Sequence, residues 1–192
     1  MPVNRAGVLA LAVFLVSARA AADEPADPTA SGAATRRAAA PVENRFSLKV
    51  ALGGDYRDLY GVPIYGGDAH LSIGAEMGLY AVYGTAGLTL GTTQYGLGTT
   101  IIDLGCSFER RFDRFTLGLP LRPSYLRIAR ATTGGALDSL GIGIAPFVGF
   151  DLIASEGHVL FLAASLNLDE YLVGSSAFAW GPTLSIGYRE TD

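Results

Sequence analysis

The chain has 192 residues, 49% apolar and 17% charged, with 25 glycines and a single lysine, Lys49. A disordered chain would carry more charge and a helical bundle less glycine, so neither class fits. Setting aside Arg5 and Arg19 of the expected signal segment leaves 12 basic residues against 18 acidic ones, so no basic face follows a phosphate backbone and nucleic acid is not expected as a partner.

Residues 1–22 read as a secretory signal peptide. Arg5 supplies the positive start, Ala6 to Val16 an apolar run too short to span a bilayer as a helix, and the alanines near 18–22 a peptidase site. Residues 23–45 are rich in Ala, Pro, Thr, Ser and acids, with Arg36 and Arg37, and show no period. They are expected to form a disordered periplasmic leader.

At Phe46 a period of two begins. Phe46, Leu48, Val50 and Leu52 alternate with Ser47, Lys49, Ala51 and Gly53. Residues 55–68, rich in Tyr, Gly, Asp and Pro, predict a long loop. A second strand, 69–78, sets Leu71, Ile73, Ala75 and Met77 against His70, Ser72, Gly74 and Glu76, and a tight turn is expected at Gly78 and Leu79. A third strand covers 80–91 and a loop 92–98. The fourth, 99–108, places Ile102, Leu104, Cys106 and Phe108 opposite Ile101, Asp103, Gly105 and Ser107.

A charged turn is expected at 109–114 and a fifth strand at 115–130. There Pro120 and Pro123 interrupt, and Leu126 and Ile128 take the parity opposite to Leu117 and Leu119, which predicts a bulge near Pro123. After a loop, a sixth strand is expected at 137–152, a short turn at 154–157, a seventh strand at 158–168, a loop at 169–175 and a closing strand at 177–189. In the closing strand Phe178, Trp180, Leu184, Ile186 and Tyr188 face away from Ala179, Gly181, Thr183, Ser185 and Arg189.

Every strand sets bulky apolar groups on one face and small or polar groups on the other. That pattern predicts lipid outside and a narrow polar lumen inside. Eight strands with alternating long and short connections predict an all-β, antiparallel up-and-down transmembrane barrel over residues 46–189, with a tail at 190–192. A strand of about eleven residues tilted near 40° rises roughly 28 Å, the height of the apolar band. The charge-free stretch 77–102 could be scored as a spanning helix, but its glycines each cost a helix about 1 kcal/mol.

Lys49, His70, Glu76, Asp103, Asp151 and Arg189 fall on inward positions, with Glu109 and Arg122 near strand ends. Charges of both signs in a low-dielectric lumen are expected to pair as a network that plugs it. Tyr56, Tyr60 and Tyr65, among Asp55, Asp58 and Asp68, are candidates for contacts with a partner and also suit an interfacial girdle. The lone Cys106 forms no internal disulfide, and no spacing of Cys and His suggests a metal site or cofactor.

The signal peptide, the dyad strands from Phe46 to Tyr188 and the final Ser-Ile-Gly-Tyr-Arg resemble the small outer-membrane β-barrel superfamily. That group includes the barrel of outer-membrane protein A, protein X and the opacity-type adhesins. The resemblance implies an outer-membrane location with both barrel termini periplasmic, and contact with lipid, lipopolysaccharide and the barrel assembly machinery. Family members usually end on an aromatic residue, whereas here Tyr188 is followed by Arg189, Glu190, Thr191 and Asp192. His70, Ser72 and Glu76 also resemble, faintly, the catalytic set of the outer-membrane lipid A 3-O-deacylases, although no Asn follows Ser72.

The function expected is therefore non-enzymatic, structural or surface-interacting through the extracellular loops, with the partner unspecified. A narrow solute or ion channel is the alternative, and a lipid A-modifying enzyme a further one. A secreted soluble barrel would instead need a polar exterior, although Ile101, Phe147, Val159 and Phe161 do fall on inward positions.

Overall fold

The computed structural model describes residues 44–129, 135–173 and 175–192. The expected signal peptide, almost all of the leader and most of the loop before the sixth strand lie outside the described residues. Nine strands follow in order: β1 (Asn44–Leu59), β2 (Val62–Met77), β3 (Tyr80–Thr93), β4 (Gly98–Phe112), β5 (Phe115–Ala129), β6 (Ala136–Ile144), β7 (Phe147–Ser155), β8 (His158–Val173) and β9 (Ser175–Thr191). All pair antiparallel, and β9 returns to β1, with Val50 opposite Tyr188 and Ala51 opposite Gly187, so the sheet is a closed ring.

The nine strands make eight staves. β6 and β7 both lie between β5 and β8 and keep one register across the gap: Leu121 faces Ile144 and Gly118 faces Phe147, while Ile144 faces Leu168 and Phe147 faces Ser165. The break falls at Ala145 and Pro146, where proline has no N–H to give to the ladder. The Pro146 carbonyl still accepts from Leu166 N at 3.0 Å, and Ala145 N donates to the Pro120 carbonyl at 3.1 Å.

The faces are inverted relative to a soluble protein. Leu104 and Phe108 are 60% and 59% exposed, while Arg57 and Asp169 in the interior are 1% and 0% exposed. Large apolar side chains on the outside of every stave and charges inside are the arrangement of a barrel immersed in hydrocarbon, where closure leaves no backbone group unpaired.

Several connections differ from the sequence expectation. The long loop at 55–68 is a hairpin whose strands run on to Leu59 and Val62, turning through Tyr60 and Gly61 with φ of 54° and 78°. Two consecutive left-handed residues match the twist of the strands, and Gly61 takes its positive φ without strain. The charged turn at 109–114 narrows to Asp113 and Arg114, because β4 continues to Phe112 with Glu109 buried inward. The loop at 169–175 is also mostly strand, for β8 extends to Val173, which pairs with Ser175.

No bulge occurs at Pro123. The β4–β5 register is the same on both sides of it, with Asp103 opposite Ser124 and Cys106 opposite Leu121. Leu126 and Ile128 are on the inward parity, where an apolar cluster replaces polar contacts. The bulge is instead in β7, between Asp151 and Ile153.

A charge on the outer face tests the inversion. L104R, near the middle of β4, should destabilise the barrel in lipid vesicles by about 2–4 kcal/mol, read by urea unfolding. A soluble barrel would tolerate the same change within about 0.5 kcal/mol.

Candidate functional site: the barrel lumen

The inward positions form two charged layers, a cavity between them and an apolar plug. The first layer lies toward the chain termini. Lys49 on β1 pairs with Glu109 on β4 and sits over the Tyr83 ring, 3.9 Å from its centroid. Arg111 pairs with Glu76 through both terminal nitrogens, and its Nη2 donates to the Tyr83 hydroxyl at 3.0 Å. That hydroxyl donates to Glu76 Oε1 at 2.9 Å. Arg189 Nη2 donates to Asp151 Oδ2 at 3.1 Å, and its Nε lies 3.7 Å from Glu76 Oε1. Three cations here face three carboxylates.

The second layer lies toward the opposite end. Arg57 on β1 donates from Nε to Asp55 Oδ2 at 3.0 Å, and from Nη1 to Asp169 Oδ2 at 2.8 Å and the Tyr171 hydroxyl at 3.3 Å. Arg122 on β5 donates from Nη2 to Asn167 Oδ1 at 2.7 Å and Asp169 Oδ2 at 3.2 Å. Asn167 Nδ2 donates to Asp55 Oδ1 at 2.8 Å, which also accepts from Thr183. Asp103 lies 3.7 Å from Arg122 and 3.9 Å from Arg57, too far for hydrogen bonds. His70 Nε2 is 2.6 Å from Asp68 Oδ2. The two arginines thus join β1, β4, β5 and β8 across the lumen, and two guanidiniums meet three carboxylates while His70 lies against a fourth, Asp68.

Between the layers is a cavity of about 120 Å³ whose walls include Ala51, His70, Ser72, Phe147, Phe161 and Ser185. Phe147 and Phe161 lie close against Gly118 and Gly187, where an added Cβ would overlap the rings. The space has room for only a few waters and is smaller than the roughly 300 Å³ of an ordinary small-molecule site. Beyond the second layer, Leu59, Ile64, Ile101, Leu126, Tyr171, Ala177 and Ala179 form a buried apolar cluster with Ile128 packed on it. An apolar cup of about 360 Å³ opens beside it, rimmed by Tyr60 and Tyr95.

Each residue expected in the lumen from the sequence therefore has a definite place. Lys49, Glu76, Glu109, Asp151 and Arg189 are in the first layer, and Asp103, Arg122 and His70 in the second. Of the three tyrosines, Tyr56 and Tyr65 face each other on the outer surface with ring centres 5.4 Å apart. Tyr60 is 70% exposed at the turn and donates its hydroxyl to the Ser176 carbonyl at 2.6 Å. His70 and Ser72 line the lumen cavity and point away from the lipid in which a lipid A acyl chain would lie. Among the described residues, no group of His, Cys, Asp or Glu has the arrangement of a metal site.

Sequence reasoning missed Asp55, Arg57, Arg111 and Asp169 because it assigned them to loops, and it missed Tyr83, Asn167 and Tyr171 as partners. The signal was present: 53, 55 and 57 continue the inward parity of Ser47 and Lys49, 111 continues that of Glu109, and 169 and 171 that of Ser165.

Breaking a buried pair strands its partner, which costs about 3–5 kcal/mol. R57M should lower the urea-unfolding stability of the vesicle-inserted barrel by that amount. Adding D169N should recover part of it, because one orphaned charge is then removed; a double variant no better than R57M would place the loss elsewhere.

No protein-family model matches the sequence, and no curated protein matches it. Solved structures do match in fold. The crystal structure of Neisserial surface protein A aligns at 14% identity and a TM-score of 0.57, covering 76% of this chain and 96% of that one. The N-terminal β-barrel domain of Pseudomonas aeruginosa OprF aligns at 14% identity and 0.48, covering 77% and 99%. Ail, the attachment invasion locus protein of Yersinia pestis, solved with the heparin analogue sucrose octasulfate, aligns at 12% and 0.49, covering 77% and 99%. At the level of fold, the chain is a small closed antiparallel β-barrel similar to that of Neisserial surface protein A.

Proposed function

We propose that this protein is a non-enzymatic outer-membrane barrel with both barrel termini on the periplasmic side, serving as a rigid platform for contacts at its opposite, loop-bearing end. The observation that carries the reading is the obstructed lumen. Arg57 and Arg122 bridge it from wall to wall, and the Leu59, Ile101 and Leu126 cluster seals it beyond them. An eight-stave interior is just wide enough to be filled by side chains. Among the described residues there is no through-path and no catalytic set facing the lipid, so what the barrel offers outward is its surface. At the loop end Tyr60 and Tyr95 are each 70% exposed and Leu172 72%, rigid or apolar groups suited to a partner or to the membrane interface.

A narrow ion path is the second reading, favoured by the cavity between the layers, whose walls include His70, Ser72 and Ser185. Planar-bilayer recording decides between them. The platform reading expects no steady conductance from the purified barrel, and a reproducible ohmic step would replace it with the channel. Location is read separately, by membrane fractionation with heated and unheated gel lanes. The expected result is recovery in the outer-membrane fraction with a heat-dependent mobility shift; a soluble periplasmic chain without that shift would overturn the reading.

A further inference from the structure

Arg110 is a cation that the lumen network does not use. It lies on β4 between Glu109 and Arg111, both turned inward, so its own side chain is on the outer, lipid-facing surface. Its register partners are Tyr80 on β3 and Leu117 on β5. Tyr80 immediately follows the Gly78–Leu79 turn, and Met77 before that turn pairs with Asn44, so Arg110 is at the end of the barrel that carries both strand termini.

Two rings hold the guanidinium. Its Cζ is 4.7 Å from the centre of Phe112 and 5.5 Å from the centre of Tyr80. Among the described residues no carboxylate lies within ion-pair distance of it, and its Nε–H is buried without an acceptor. Each inward arginine among the described residues, by contrast, has an acidic partner.

Height on the barrel identifies what this cation meets. One step toward the middle on the same face, Phe108 is exposed where acyl chains lie, and one step beyond Phe112 the Asp113–Arg114 turn enters water. Tyr80, Phe112 and Phe115 form an aromatic band between them, at the level where such side chains meet headgroups. A guanidinium set over ring faces leaves its terminal Nη–H groups for an anion, and these match a pair of phosphate oxygens in a way a lysine would not.

We propose that Arg110, framed by Tyr80 and Phe112, is a headgroup site for an anionic phospholipid in the leaflet at the termini-bearing end of the barrel. The proposal rests on the barrel being inserted in a membrane. The phosphate receives the guanidinium N–H groups, the rings shield the contact from water, and the acyl chains run down the outer face past Phe108.

The test uses the full chain carrying W180F and F115W, whose only tryptophan lies beside the site. It is refolded into vesicles containing either phosphatidylglycerol or phosphatidylcholine brominated in the acyl chains. Occupancy predicts a roughly five- to tenfold preference for phosphatidylglycerol in quenching that tryptophan, the scale of one basic side chain at an anionic surface. R110Q should bring the preference to about one. Equal quenching by the two lipids with Arg110 present, or an unchanged preference in R110Q, would overturn the proposal. Native mass spectrometry of phosphatidylglycerol retained by the unmodified chain and by R110Q gives the same comparison without a tryptophan variant, and equal retention would also overturn it. Failure to insert, seen as loss of the heat-dependent gel shift in the unmodified chain, is instead a failure of the membrane reading.

Discussion

In hydrocarbon an amide without a partner costs several kcal/mol, and a sheet with two free edges would strand a row of them. The pairing of β1 with β9 removes both edges, with partners from Ser47 opposite Thr191 to Leu59 opposite Ala179. It joins the two ends of the described barrel, so it forms only when the ring is complete. The strand tilt, the width of the lumen and the side on which each residue points all follow from that closure.

Closure at eight staves leaves an interior that side chains must fill. This chain fills it unevenly. Toward the termini, Lys49, Arg111 and Arg189 meet Glu76, Glu109 and Asp151 in balance. Toward the other end, Arg57 and Arg122 serve Asp55, Asp103 and Asp169, so each guanidinium is shared and each is tied to several staves. Sharing a planar donor among carboxylates uses its full set of N–H groups, and it makes the removal of one arginine more damaging than the removal of one acid.

The outer surface divides along the same axis. Its middle is largely aliphatic, with Leu52, Leu104 and Ile186 exposed, and its ends are richer in aromatic side chains. Arg110 belongs to one of those ends, where a cation on the lipid side is at the level of headgroups and not of acyl chains. In the lumen each described arginine has a carboxylate partner, whereas Arg110 on the rim is flanked by the rings of Tyr80 and Phe112.

The sequence by itself determined the fold class and the facing of the strands, because a period of two with bulky residues on one side has few physical solutions. It also placed the inward residues Lys49, Glu76, Asp103 and Arg189 on the correct face, for alternation is a local property. It did not reveal where strands end. Tyr-, Gly- and Asp-rich segments such as 55–68 carry turn composition, yet pairing with neighbours extends β1 and β2 through them and turns Asp55 and Arg57 into lumen residues. The parity change at Leu126 looked like a bulge because hydrophobicity was equated with lipid, whereas the tertiary structure has an apolar plug there. Partners across the lumen, such as Arg57 with Asp169, are 112 residues apart in the chain. Only ring closure brings them together, so tertiary structure alone decided which charges meet.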